Sequence, residues 1–268
     1  ASSAPEWTEY DALIAEIKSA TDLKEREALM HKAEDILMET GALLPIYYYN
    51  DIYLAKPEVQ GYYSSPFGTK FFQEATKGEE TVLRINLASE PDKLDPALNS
   101  SVDGATLAAN SFGGLYTYAN GEVAPVPNYA TGVEISDDSL TYVFTIRDGL
   151  KWSNGDPLTA KDFVYSWNRA VAAETAADYA YMFDSIAGYP DKLDVTASED
   201  GTKLTVNLKA PTAYFLDLVA FPTYFAVHEA TVENAVGYKD EAGTVVSPGA
   251  WALEAGFVSS GPFMLQEW

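Results

Sequence analysis

A mixed α/β fold is predicted by three observations. Apolar residues recur at helical spacing in some stretches and alternate in others. Two of the alternating stretches fold back on themselves through acidic turns, at Asp137-Asp138 and Asp200-Gly201. The chain has 268 residues, 47% of them hydrophobic and 13% aromatic, enough to bury a substantial core in one large domain or two small ones.

In chain order, Trp7 to Ser19 carries Tyr10, Leu13, Ile14 and Ile17 at helical period. Thr21 or Asp22 can cap a second helix, in which Leu29, Ala33, Ile36 and Leu37 form one stripe and Lys24, Glu25, Arg26, Lys32 and Glu34 face water. Gly41 and Pro45 end it. The stretch "LLPIYYYNDIYLAKPEVQGY" is rich in β-branched and aromatic residues and predicts strands or extended chain, with Tyr47 to Tyr49 half-buried. "GTKFFQEATKGEE" has no period and reads as a linker. Val82, Leu83, Ile85 and Leu87 predict a buried strand over Thr81–Ala88, and a helix follows from about Asp103 to the Gly113-Gly114 pair.

The next hairpin pairs Val133 and Ile135 with Tyr142, Phe144 and Ile146. "LTAKDFVYSWNRAVA" begins a helix with Thr159 as N-cap and Asp162 in capping-box position, placing Phe163, Trp167 and Val171 on one face. "KLDVTASEDGTKLTVNLKAP" is a second hairpin; "PTAYFLDLVAF" and "HEATVENAV" read as helical, and "GPFMLQEW" as extended. No internal repeat is evident.

Forty acidic and seventeen basic side chains leave a formal charge of −23. That field repels phosphate backbones, so nucleic acid and anionic membrane surfaces are poor partners, and the spread of the charges reads as solubility; no direct membrane insertion is expected. No cysteine is present, which removes disulfides, thiolate catalysis and cysteine-based zinc sites. The longest apolar run, Ala42 to Tyr49, is too short to span a bilayer. "ASSAPEW" lacks the basic start and apolar stretch of a signal peptide, which reads as a mature or recombinant form.

For chemistry, His31 and His228 lie 197 positions apart with no local signature, and read as a surface residue and as a cap or packed side chain. Asp191/Asp194 and Glu199/Asp200 could be read as glycosidase or calcium carboxylates. Among forty acids such pairs arise by chance, and Glu199-Asp200-Gly201 is more simply a turn. The eighteen tyrosines offer flat apolar area with a polar tip, suited to packing or to a binding cleft.

Residues 115 to 171, which include "FTIRDGLKWSNGDPLTAKDFVYSW", resemble the signature region of family 5 extracellular solute-binding proteins, which include the oligopeptide-binding components of ABC importers. "LDP", "FGGLYTY", "PTAYFLDLVAFP" and "SSGPFMLQEW" flank it in the family's order. The resemblance implies a periplasmic-binding-protein-like lobe, a mixed β-sheet flanked by helices with a smaller α/β subdomain inserted. Arg147 and Asp148 would close the hairpin, and Trp152 with the "SNGDP" turn would pack beneath the next helix.

Residues 7 to 77 also resemble the family, but its carboxy-terminal end. The order is thus reversed, as in a circular permutation, with a junction at 78–80, the family's amino-terminal segment from 81, and the second lobe absent. Engineering is the implied origin. Expected subdomains are 1–112 (larger, first part), 113–228 (inserted, smaller) and 229–268 (larger, last part).

By the same resemblance the chain is a non-catalytic binding lobe, with a peptide or other small solute as ligand and a membrane ABC permease as partner of the parent protein. An extracytoplasmic location, in the periplasm or at the cell surface, is implied, with no cofactor and no metal. Binding should be weak without the second lobe, because closure of two lobes supplies most of the burial. The ligand-near residues implied are Ser100, Ser101 and Val102, with Tyr179 and Phe221; a charged family position falls on Ala109, losing any ion pair there. Alternatives are an interaction module dimerising through the exposed cleft face and an acidic hydrolase built on paired carboxylates.

Overall fold

Helices α1 (Pro5–Ser19) and α2 (Leu23–Glu39) open the part of the chain that the computed structural model describes, residues 5–268. Asp22 caps α2, its carboxylate accepting from the N–H groups of Lys24 and Glu25 at 3.0 and 2.8 Å. The two helices bury Leu13, Ile17 and Ala33 between them in a small core separate from the main one. Arg26 departs from the expected water-facing row. It is half-buried, donates to the Ile17 carbonyl at 3.3 Å, and lies 4.8 Å above the Tyr214 ring, tying the helix pair to the body.

Residues 81–88 correct the predicted strand, and of the two readings for residues 42–56 the strand falls away, since both segments lie outside helix and strand. Tyr47, Tyr48 and Tyr49 are exposed rather than half-buried, as are Val82 and Ile85. Strand propensity measures how a side chain fits a paired, half-covered surface, and neither segment has a neighbouring strand to supply the hydrogen bonds.

The stretch 68–80 is likewise no free linker. Strands β1 (Val59–Gln60) and β4 (Thr76–Lys77) pair antiparallel, as do β2 (Tyr63–Ser64) and β3 (Lys70–Phe71). Tyr63 and Phe71 stack, with ring centroids 4.9 Å apart, and both enter the main core. Helix α3 (Val102–Ser111) receives this unit. Asn110 Nδ2 donates to the Lys70 carbonyl at 2.8 Å, and the Lys70 and Phe72 N–H groups donate to Thr106 Oγ1 and Asn110 Oδ1 at 3.2 and 3.0 Å.

After the short pair β5 (Tyr116–Thr117) and β6 (Val126–Pro127), the chain builds its largest sheet. Strands β7 (Ala130–Ile135), β8 (Thr141–Ile146), β9 (Val195–Ala197) and β10 (Lys203–Asn207) are antiparallel in the order β7-β8-β10-β9. Tyr142, Phe144 and Ile146 of β8 and Leu204 and Val206 of β10 alternate inward as the sequence pattern requires. Helix α4 (Ala160–Val171) covers them with Ala160, Phe163, Trp167, Ala170 and Val171. Its predicted capping box is present: Thr159 Oγ1 accepts from Lys161 N–H at 3.2 Å, and Asp162 accepts from Thr159 N–H at 2.8 Å. Trp152 sits beneath it, donating to Asp162 at 3.1 Å. The second hairpin turns where expected, and Gly201 is required there. Its φ is +73°, and a Cβ would lie 2.9 Å from that of Thr159.

Short helices α5 (Phe215–Leu218) and α6 (Glu229–Glu233) follow, the latter capped by His228, whose Nδ1 accepts from Thr231 N–H at 3.3 Å. The last residues run extended beside α3, where the Ser260 and Gly261 N–H groups donate to the Ser111 carbonyl at 3.1 and 2.8 Å.

Candidate functional site, an open aromatic face

The loop leading into α3 is folded by its own side chains. Asn99 Oδ1 accepts from the N–H and hydroxyl of Ser101 at 3.2 and 3.1 Å, and Ser101 Oγ then caps the helix by accepting from Gly104 N–H at 3.1 Å. Gly104 has no Cβ to spare, because one would sit 1.8 Å from Asn99 Oδ1. The Ser101 side chain is therefore committed to the helix start, whereas Ser100 and Val102 remain exposed beside it.

Asp103, next to Val102, holds the preceding chain down, accepting from Ser89 N–H and Ser89 Oγ at 2.7 Å each. Burial raises its pKa, but the Ser89 and Ala88 hydrogen bonds and the Lys70 charge more than offset this, and the net shift is downward. A depressed carboxylate contributes its stabilisation above the unfolded pKa of about 4 and loses it as pH falls through the lower folded value. The Ser89 amide should thus keep its shifted NMR resonance down to pH of about 4 and lose it below, and Asp103→Asn should abolish that transition.

Two distant stretches meet the Ser100–Val102 segment, and each brings further rings with it. The Tyr179 hydroxyl lies 3.5 Å from the Ser100 carbonyl, and its ring meets Phe221 edge-on at 5.7 Å and Tyr181 at 6.0 Å. The β2–β3 loop supplies Gly68, whose Cβ position is 3.6 Å from Val102 Cγ1, and Phe67, which packs edge-on against Tyr118 at 5.6 Å. Tyr118 in turn donates to Asp217 at 2.9 Å; burial and that carboxylate push its pKa well up and keep it a neutral donor.

Ser65, Phe67, Ala109, Tyr118, Phe221 and Phe225 line a hollow of only about 20 Å³. It is a dimple in an open face, and Val102, Phe67 and Tyr181 stand more than half exposed around it. The fold thus brings together Ser100, Val102, Tyr179 and Phe221 with Ala109, and it adds Phe67, Tyr118 and Tyr181. Phe67 carries one sequence signal, a large apolar residue inside the "SPFGT" turn, where nothing local can bury it.

Elsewhere the titratable groups are occupied structurally. His228 Nε2 is 3.1 Å from Asp156 and its ring rests on Trp152, while His31 is exposed on α2. Hydrogen bonds from the Ser198 hydroxyl and from Thr202 draw the Asp200 pKa down to about 2, so it stays ionised as a turn residue. Asp194 accepts from Asn207 at 3.1 Å. Among the described residues no cluster of three or more His, Cys, Asp or Glu could hold a metal ion, and no helix is long and apolar enough to cross a membrane. A cavity of about 390 Å³, lined by Leu94, Asp95, Thr175, Pro248 and Trp268 among others, shares no residue with the aromatic face.

The family model of bacterial extracellular solute-binding proteins, family 5 (middle region), matches residues 124–268, more than half of the chain. The chain belongs to this family. The oligopeptide-binding protein OppA of Bacillus subtilis is 39% identical over 203 residues, covering 72% of this chain and 34% of that protein. The dipeptide-binding protein DppE of the same organism is 36% identical over 202 residues, with the same two coverages. The solved structure of Listeria monocytogenes OppA bound to peptide superposes with a TM-score of 0.62 at 33% identity, over 71% of this chain and 37% of that one. The chain spans about a third of the length of the family 5 proteins it matches.

Proposed function

We propose that this chain is a ligand-binding lobe of a peptide-type ABC importer solute-binding protein, non-catalytic, and that it receives an extended peptide on the face formed by Ser100, Val102, Tyr179, Phe221 and Phe67. One observation carries the reading: residues from four separate stretches converge on an open, aromatic surface in a chain of net charge −23. Such a face suits a peptide, whose main chain can meet the exposed Ser100 backbone while its side chains rest on the rings. Ser101 contributes through its backbone and by setting the helix start. Relatives whose names describe oligopeptide, dipeptide and murein-peptide binding support a peptide ligand, and one relative of similar identity is named for deoxycholate binding. The parent protein would be extracytoplasmic and would deliver its ligand to a membrane permease.

The same reading includes the chain order. The segment ending at Lys77 carries the family's carboxy-terminal end and the segment from Thr81 its amino-terminal end, joined at 78–80 as in a circular permutation. The larger subdomain would comprise 1–112 and 229–268, with 113–228 inserted. The hydrogen bonds from Lys70 and Phe72 to Thr106 and Asn110 support it, since they seat residues before the junction on a helix after it.

Titration calorimetry with short peptides tests the binding claim. Tyr179→Ala and Phe221→Ala should each weaken binding roughly tenfold, the loss of about 1–1.5 kcal/mol that one aromatic contact is worth. Unchanged affinity in both variants would rule the face out as the site.

A further inference from the structure

We propose that Asn120 is a site of spontaneous covalent change, at which its side chain closes on the Gly121 nitrogen, loses ammonia and leaves an aspartyl or isoaspartyl residue, while the fold holds the second Asn-Gly pair, Asn154-Gly155, intact. The sequence contains this dipeptide twice, in "YANGEV" and "WSNGDP". Glycine favours the reaction because it puts no side chain beside the attacking nitrogen and lets the backbone swing toward the asparagine Cγ. Both pairs are exposed, both glycines have positive φ, +80° and +93°, and a Cβ at either would meet nothing within 4 Å. Access therefore does not separate the two sites, but hydrogen bonding does.

In the connection between β5 and β6, the turn is closed by the Glu122 N–H, which donates to the Ala119 carbonyl at 3.1 Å across the central residues Asn120 and Gly121. The Gly121 N–H, the nucleophile, donates to no described residue, and the Asn120 amide pairs with none. Both reacting groups are free to move together. At the second pair the turn is displaced by one residue, and the Gly155 N–H itself closes it on the Trp152 carbonyl at 2.9 Å. Asn154 Oδ1 accepts from the Asp156 N–H at 3.0 Å, and Asn154 Nδ2 donates to Asp156 Oδ2 at 2.6 Å. Nucleophile, carbonyl and leaving group are thus each held by a hydrogen bond that must open first.

The reaction balances with water as co-reactant. A bond forms between Gly121 N and Asn120 Cγ, the nitrogen gives its proton to solvent, and the Cγ–Nδ2 bond breaks as ammonia departs with a proton taken back from solvent. Water then opens the cyclic imide. Addition at Cγ restores the main chain with an aspartate, and addition at the Asn120 main-chain carbonyl leaves the chain running through the side chain as isoaspartate. Either product adds a negative charge to a chain already at −23, and isoaspartate also lengthens the main chain two residues beyond Tyr118.

Incubation of the full chain at mildly alkaline pH, followed by peptide mapping with mass spectrometry and isoaspartyl methyltransferase labelling, reads both sites in one sample. Asn120 should convert at least about tenfold faster than Asn154, the factor that about 1.4 kcal/mol of hydrogen bonding supplies. In urea, where the turns are lost, the two rates should come together. Asn120→Gln should remove the fast charge change from the folded protein and leave the circular dichroism spectrum as it was. An Asn120 that stays intact in the folded chain would overturn the inference, as would an Asn154 that converts equally fast. So would a rate ratio that persists in urea, which would assign the difference to neighbouring residues rather than to the fold.

Discussion

Asp95→Asn is expected to destabilise the protein by about 3–5 kcal/mol, the cost of leaving a buried charge without its partner. Asp95 and Arg169 are almost wholly buried and form a two-pronged ion pair, through Nη2 to Oδ2 and through Nη1 to Oδ1 at 3.3 Å. Trp251 Nε1 also donates to Asp95, at 2.9 Å, and Arg169 Nη2 donates to the Pro248 carbonyl at 2.7 Å. Burial by itself would lower the Arg169 pKa. The Asp95 charge more than offsets it, and the net shift is upward, so the guanidinium stays charged.

Three parts of the chain therefore depend on one carboxylate: the "LDP" segment, helix α4 and the stretch 248–251. Asparagine preserves the shape and an acceptor for Trp251, but strands the guanidinium. A urea melt checks this, and Asp95→Asn combined with Arg169→Met should cost less than the two single changes added together, because the second removes the stranded charge. A loss below about 1 kcal/mol for Asp95→Asn would contradict the assignment.

Trp167→Ala should cost about 3–5 kcal/mol. The indole is fully buried, meets Tyr224 edge-on at 5.0 Å, lies 6.3 and 6.0 Å from Phe163 and Phe183, and donates from Nε1 to the Tyr224 carbonyl at 2.8 Å. Removing it opens a cavity walled by rings that are themselves fixed. Phe183 and Tyr224 stack at 4.0 Å, and the Tyr224 hydroxyl donates to the Met182 carbonyl at 2.8 Å. Trp167→Phe separates the two contributions. It fills most of the space and should cost about 1–3 kcal/mol, mostly for the carbonyl left without a donor. Thermal unfolding of both variants reads the difference.

What the sequence made legible was local. The Thr159–Asp162 capping box, the Asp200-Gly201 turn and the inward alternation of Tyr142, Phe144 and Ile146 each need only neighbouring residues, and each appears as expected. The segments 43–56 and 81–88 have the same kind of alternation but no partner strand, and pairing is decided far away in sequence. Phe71 was hidden in a stretch without period because its burial depends on stacking with Tyr63 and docking on α3.

The candidate site divides in the same way. Ser101 as a cap could be read from "NSSVDG", since serine before an acidic helix start is a local signature. The meeting of Tyr179 with Ser100 and Phe221, 79 and 42 positions away, is set by tertiary packing, and the resemblance, not the periodicity, pointed to those residues. Phe67 and Tyr181 join them for the same non-local reason.

Peptide binding on the open aromatic face is the proposal on which the functional reading rests. A ¹H–¹⁵N NMR titration of the full chain with a mixture of random tripeptides to pentapeptides tests it most directly. Saturable shifts confined to Phe67–Gly68, Ser100–Val102, Tyr179–Tyr181 and Phe221 are expected, in fast exchange, with no peptide cleaved. No shifts at millimolar peptide, shifts centred instead on the cavity beside Asp95 and Trp268, or steady peptide hydrolysis would contradict it.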